Sequence, residues 1–307
     1  MAEPSSHRPA ATFGGRAAYL AYRTGSALAN ALPGPVAEPL AGALGRSLAV
    51  AMPARRRIVA RNLRRATGGD LEGSGLQRGV SDVFSSYARY WLELFRLPNE
   101  PPSTIDRRFR VEGYEHLRRA FEGGRGAIVT LPHVGGFEYA AAWIARRGHR
   151  PTVVVEPVEP PELLAWFTSV REALGMEVVP LGPDAASRML AALAENRVIC
   201  LLADRDINGE GVEVEFFGET TTMPAGPAVL ALRTGAPILP LAVYFEPGGM
   251  HCGVVEPPVP AERQGRLRED VARVTQEIAH RFEGLIRRAP EQWHVMQPNW
   301  PSDLEGT

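Results

Sequence analysis

From Pro101 onward the chain alternates short apolar runs with longer amphipathic stretches, and this alternation constrains the fold more than any other feature. The runs at 109–112, 126–131, 151–155, 177–180, 198–202, 212–216, 238–244 and 253–255 have strand length, and most carry Val or Ile. Between them, 113–122, 136–147, 161–174, 185–196, 224–234 and 268–288 read as helices. Strands separated by helices predict βαβ units and an α/β fold: a largely parallel central sheet flanked by helices. In such a sheet the site is expected beyond the carboxyl ends of the strands.

The first hundred residues read differently. Helices are expected at 15–32, 36–52, 54–66 and 76–97, the first two separated by Pro33-Gly34-Pro35. The expected organisation is a tail at 1–13, an N-terminal helical segment at 14–100 packed on the core, one integrated α/β core at 101–300, and a tail at 301–307. The third helix carries Arg55, Arg56, Arg57, Arg61, Arg64 and Arg65 around Ile58, Val59 and Leu63. It reads equally as a membrane-facing amphipathic helix and as the solvated face of a packed one. The aromatic side of the fourth helix, with Tyr87, Tyr90 and Trp91, reads as core.

Charge sharpens the contrast. All 34 basic residues are Arg, and the net charge is −1, which argues against a nucleic-acid binder. Residues 1–130 hold 19 Arg against 11 acids, whereas 151–307 hold 12 Arg against 23. A basic first half suits an anionic membrane surface. No segment reads as a bilayer span, since 17–32 contains Arg23 and 32–44 contains Pro33, Pro35, Glu38 and Pro39. With no leader-like start, the expected place is the cytoplasmic face of the cell membrane, peripherally bound. Two cysteines exclude a disulfide scaffold and a four-thiolate zinc module.

Chemistry concentrates at strand tips. The strand at 126–131 is stopped by Pro132, which places His133 on a turn before Gly135, Gly136 and a helix whose first turn holds Glu138. A histidine paired with a carboxylate there suits a general base; the plainer reading is a helix cap. The strand at 198–202 is followed by Asp204-Arg205-Asp206, either a carboxylate orienting His133 beside an anion-binding Arg, or a buried ion-pair triad. After Met223-Pro224-Ala225-Gly226-Pro227 a helix is expected, whose first-turn amides suit an oxyanion; the plainer reading is an ordinary crossover helix. Cys200 and Cys252 read as small core residues, and no histidine pair has metal-ligand spacing, so no metal and no cofactor are expected.

These blocks resemble the bacterial lipid acyltransferases of the lipid A lauroyl/myristoyl type, most of all those acting on mycobacterial phosphatidylinositol mannoside. The resemblance covers roughly residues 17–300. It rests on His133-x4-Glu138, Ala203-Asp204-Arg205-Asp206, GVEVEFFG at 211–218, MPAGP at 223–227, YARYWLELFRL at 87–97 and QWHVMQPNW at 292–300. It implies transfer of a palmitoyl-like chain from acyl-CoA, the donor substrate, to a mannose hydroxyl of phosphatidylinositol mannoside at the inner leaflet. The family's catalytic histidine falls on His133. The acid of its His-x4-Asp box falls on Glu138, and the glutamate partnering the histidine in the mannoside enzymes falls on Asp204, two departures in side-chain length. Glu156 and Arg171 match substrate-groove positions; Arg205, Asp206 and Gly226 are further substrate-binding candidates.

Overall fold

The computed structural model describes residues 13–304. Of the tail expected at 1–13, only Phe13 lies among them, and it opens the first helix. Four helices come first: α1 (Phe13–Ala31), α2 (Gly34–Ala51), α3 (Pro53–Ala66) and α4 (Gly73–Arg96). The core then runs α5 (Pro102–Arg108), β1 (Phe109–Glu112), α6 (Tyr114–Glu122), β2 (Ala127–Leu131), α7 (Phe137–Arg146), β3 (Thr152–Val155) and α8 (Pro161–Ala173). It continues through β4 (Glu177–Pro180), α9 (Ala185–Ala194), β5 (Val198–Leu202), β6 (Val212–Phe216), β7 (Glu219–Met223) and α10 (Gly226–Thr234). It closes with β8 (Ile238–Phe245), β9 (His251–Val255) and α11 (Leu267–Arg288).

Seven strands form one sheet in the order β1-β9-β8-β2-β5-β3-β4. Every neighbouring pair is parallel except β8 and β9, which a short turn through Gly248 and Gly249 joins antiparallel. The expected parallel sheet is therefore present, with a reversed edge of β9 and β1. The run at 212–216 does not join it. Pairing with β7, which the sequence pattern did not single out, makes β6 half of a separate antiparallel hairpin. Its alternating charges, Glu213 and Glu215, suit a ribbon with one wet face, not a strand buried on both.

Period-2 alternation assigns the faces. On β2, Ala127, Val129 and Leu131 pack with α5, α6 and α7, while Ile128 packs with α9, α10 and α11 on the opposite face. Both faces are thus covered, which is why the central strands are apolar throughout. Among the described residues no helix is long and apolar enough to cross a membrane.

The N-terminal helices dock around α4, whose Val80, Val83 and Phe84 are buried with Val59 and Leu63 of α3. The arginine-rich α3 is accordingly a packed helix, with Arg55, Arg56, Arg57 and Arg64 pointing outward. Arg65 points inward: it bonds Glu219 of β7 at 2.8 Å and Asp303 at 2.9 Å, and its guanidinium lies over Trp300. The tail expected at 301–307 is therefore corrected for its first residues, since Pro301–Asp303 is a 3-10 turn and the Asp303 carboxylate is fully buried. Residues 305–307 lie outside the described part.

Removing the buried Asp303 carboxylate takes one of two acids from Arg65 and leaves the Asn299 and Trp300 N–H groups without their acceptor. Asp303→Ala is expected to lower unfolding free energy by about 3 kcal/mol, read as a reduced midpoint in urea with an unchanged slope.

Candidate active site

The turn after β2 is built by what its glycines permit. Gly135 sits at φ +56, and a Cβ there would lie 2.0 Å from the Val243 carbonyl oxygen, so only glycine fits. Its N–H donates to the Gln292 carbonyl, and that of Gly136 to Val243 on β8. Pro132 ends β2 and the next residue, His133, is delivered to the sheet's carboxyl edge, one quarter exposed.

β5 lies beside β2, and Ala203 continues the ladder by donating to Leu131. The following residue, Asp204, is fully buried. Its carboxylate accepts from His133 Nδ1 at 2.5 Å, from the His133 backbone N–H at 2.9 Å and from Trp293 Nε1 at 2.9 Å, while its carbonyl accepts from the Asn299 side chain. Burial alone raises a carboxyl pKa. Here the charge and hydrogen bonds of His133, with Trp293, more than offset it and hold Asp204 below the usual carboxylate range. An imidazole donating through Nδ1 to an ionised carboxylate keeps its lone pair on Nε2, the form a general base needs.

His133 stands at a cavity of about 290 Å³. Its walls are mainly apolar, with Val129 of β2, Ala141 and Ile144 of α7, Val153 of β3, Phe167 of α8 and Leu241 of β8. Tyr87, Tyr90 and Trp91 of α4 form a further wall, so the aromatic stripe expected to be core in part faces this space. Polar groups are few: besides His133 they include Glu156, Arg171, Arg205, His294 and Gln297. Cys200 also lines it, its thiol pushed up to about 12 by burial, and that of Cys252 is pushed up to about 11. Neither is a ready nucleophile at neutral pH.

The other sequence candidates divide. Glu138 lines the same cavity but takes different partners from His133: its carboxylate bonds the Arg171 guanidinium of α8 and accepts from Tyr90 Oη at 3.4 Å. The His133–Glu138 pairing drawn from the spacing is thereby replaced by His133–Asp204. Glu156 and Arg205 line the cavity. Asp206 does not; it accepts from the N–H groups of Gly209 and Gly211 and from Thr222 Oγ1, pinning its own loop to β7. Gly226 opens α10, which packs with α9 and α11 on the other face of the sheet and contributes nothing to the cavity lining.

One residue was underrated. His294 is buried, its N–H donates to the His133 carbonyl at 2.8 Å, and its Nε2 lies 2.9 Å from Ser86 Oγ of α4. Burial first, then electrostatic repulsion from the neighbouring His133 imidazole, pushes its pKa down to about 3. The uncharged Trp293–His294 pair thus covers the dyad. The signal available was the aromatic density of 293–300.

A His–Asp pair at parallel strand tips of an α/β protein, over a mostly apolar cavity, is an arrangement chemically able to activate a hydroxyl or water beside an apolar substrate. The family described as bacterial lipid A biosynthesis acyltransferase matches residues 15–302, and the chain belongs to that family. It is an acyltransferase. It is 38% identical over 297 residues to the phosphatidylinositol mannoside acyltransferase of Mycolicibacterium smegmatis, covering 95% of this chain and 94% of that one. To the protein of the same name in Mycobacterium tuberculosis it is 42% identical over 224 residues, 71% of this chain and 69% of the relative.

The buried imidazole has a stability signature. An unfolded histidine titrates at about 6.5, whereas folded His294 stays neutral down to about 3, so the unfolded state binds the extra proton between them. Stability is therefore expected to fall as pH drops below 6.5. His294→Gln should flatten that part of the profile in urea titrations from pH 7 to 4.5.

Proposed function

We propose that this protein transfers a palmitoyl-like chain from acyl-CoA to a mannose hydroxyl of a phosphatidylinositol mannoside, at the inner face of the membrane. The observation that carries the reading is the His133–Asp204 pair, its Nε2 free of the carboxylate and its ring at the edge of a mainly apolar cavity. Support for the acceptor comes from the names of the two mycobacterial relatives.

In this reading the acyl chain lies along the apolar walls and the thioester carbonyl rests near His133. The imidazole Nε2 takes the proton of the acceptor hydroxyl as its oxygen attacks the carbonyl carbon. Asp204 holds the tautomer and stabilises the imidazolium that forms. The tetrahedral intermediate collapses, the carbon–sulfur bond breaks, and the imidazolium returns its proton to the departing CoA thiolate. The products are an ester and free CoA, and the enzyme is unchanged. No acyl-enzyme is required, in keeping with two thiols held far above neutral. Glu156, Arg205 and Gln297 are the polar groups available to sugar hydroxyls. Glu138 and Arg171 neutralise each other inside the cavity wall, joining α7 to α8.

The membrane-facing surface in this reading is α2, with α1 beside it, and not the arginine helix. Val36, Leu40, Leu44 and Leu48 recur every four residues along α2 and are between 39% and 58% exposed. Leu20 and Leu28 of α1 are exposed as well. Arg55, Arg56 and Arg57 follow at the start of α3, where they suit anionic headgroups. Tyr22 of α1 packs on Trp91, a wall residue of the cavity, so this surface adjoins the site.

Purified protein with labelled palmitoyl-CoA is expected to acylate phosphatidylinositol mannoside in preference to lysophospholipid, glycerol phosphate or lipid A precursors. Preference for one of those would reassign the acceptor, and no transfer to any would remove the reading. His133→Ala should abolish transfer, and Asp204→Asn should lower kcat by roughly 10³–10⁴-fold with the fold intact by circular dichroism. Leu40→Glu with Leu44→Glu should abolish co-sedimentation with anionic vesicles while sparing activity on detergent-dispersed acceptor.

A further inference from the structure

A second buried histidine–carboxylate pair lies behind the catalytic turn. His251 opens β9, is 1% exposed and donates through Nε2 to Glu93 Oε2 of α4 at 2.6 Å. The other oxygen of Glu93 accepts from Arg89 Nε at 2.8 Å, and the Arg89 guanidinium lies over the Phe245 ring at 4.3 Å. On its far side the His251 ring stacks on Tyr139 of α7, centroids 4.0 Å apart and planes 15° from parallel. A Cβ at Gly136 would come within 3.1 Å of the His251 ring and 2.8 Å of Phe245, so the catalytic turn rests directly on these two side chains.

The contact runs on to the dyad. Phe245 exchanges both backbone hydrogen bonds with the Gln292 side chain, and the Gln292 carbonyl accepts from Gly135, two residues from His133. On the α4 side, Glu93 lies less than two turns from Tyr87, Tyr90 and Trp91, the aromatic wall of the cavity. Stability alone does not account for the pair. Buried charged pairs gain little over apolar residues of similar volume, and here His251 Nδ1 and Arg89 Nη2 have no partner among the described residues. What a directed hydrogen bond adds is orientation, because it fixes one rotation and one height of α4 against the sheet edge.

We propose that His251 and Glu93 are positioning residues that hold the aromatic wall of α4 in register with the turn carrying His133. Their role is to set the fit of the acyl donor without touching it; this rests on the acyl-transfer reading above. Loss of the pair lets the wall shift, which weakens donor binding and leaves proton transfer by His133 and Asp204 in place.

The test compares E93Q, which keeps an acceptor for His251 Nε2, with the double variant E93L/H251L made in an R89M background, so that apolar volume replaces the pair and no Arg89 guanidinium is left without its carboxylate. Hydrogen exchange read by mass spectrometry over 86–96 and 132–138 is combined with kcat and KM for acyl-CoA donors of several chain lengths. E93Q is expected to stay within about twofold of wild type throughout. The double variant should melt cooperatively, exchange faster in both segments, raise KM roughly tenfold and alter the chain-length profile, with kcat and its pH profile unchanged. Wild-type exchange and KM in the double variant would overturn the proposal, as would a fall in kcat at constant KM. An E93Q as impaired as the double variant would also overturn it. Wild-type protein inactive on every donor and acceptor would instead remove the acyl-transfer reading, and the exchange arm would still decide the coupling.

Discussion

The buried carboxylate of Asp204 organises the site. It collects donors from two distant parts of the chain, the ring and backbone of His133 after β2 and the Trp293 indole, while the Asn299 amide, close to Trp293 in the chain, holds the backbone carbonyl of Asp204. A carboxylate with no exposed surface is tolerable only when its lone pairs are filled, and filling them fixes the geometry of everything that donates. The imidazole therefore has one orientation and one tautomer before any substrate arrives. The His133 and Trp293 donors explain how the charge survives burial, because each of them favours the ionised form.

Around that point the protein separates two environments. The apolar walls come from alternate positions of parallel strands and from the α7 and α8 faces that cover them, so the cavity is a gap in the core of one sheet face. The few polar groups stand on segments that leave the strands, as Glu156 does after β3 and Arg205 after β5. This is the division expected where parallel strands end: hydrocarbon behind, irregular backbone and charge in front.

Much of this was legible in the sequence, and for local reasons. Short β-branched runs alternating with helical periods gave the parallel sheet, and Pro132 followed by two glycines marked the turn that presents His133. The partner choice was less accessible. The sequence offered both Glu138 and Asp204 as partners of His133 without choosing between them; the first turn of α7 aims Glu138 at Arg171, a tertiary neighbour on α8. Asp204 wins because β5 pairs directly with β2 in register, so their ends meet. The β6–β7 hairpin and the packed turn at Pro301–Asp303 escaped because their polar residues are satisfied by partners far along the chain, Gln276 and Arg65 among them. The docking of α3 was likewise undecidable from its arginines, since one of them, Arg65, is turned inward by two acids that local pattern does not reveal.

The indole of Trp293 follows Asp204 by 89 positions, and it shields the carboxylate that both strand ends converge on. The histidine and the aspartate, 71 positions apart, both precede the residue that covers their bond. A chain cut short of Trp293 would keep both members of the pair yet lose the indole that donates to Asp204 and screens its carboxylate from water.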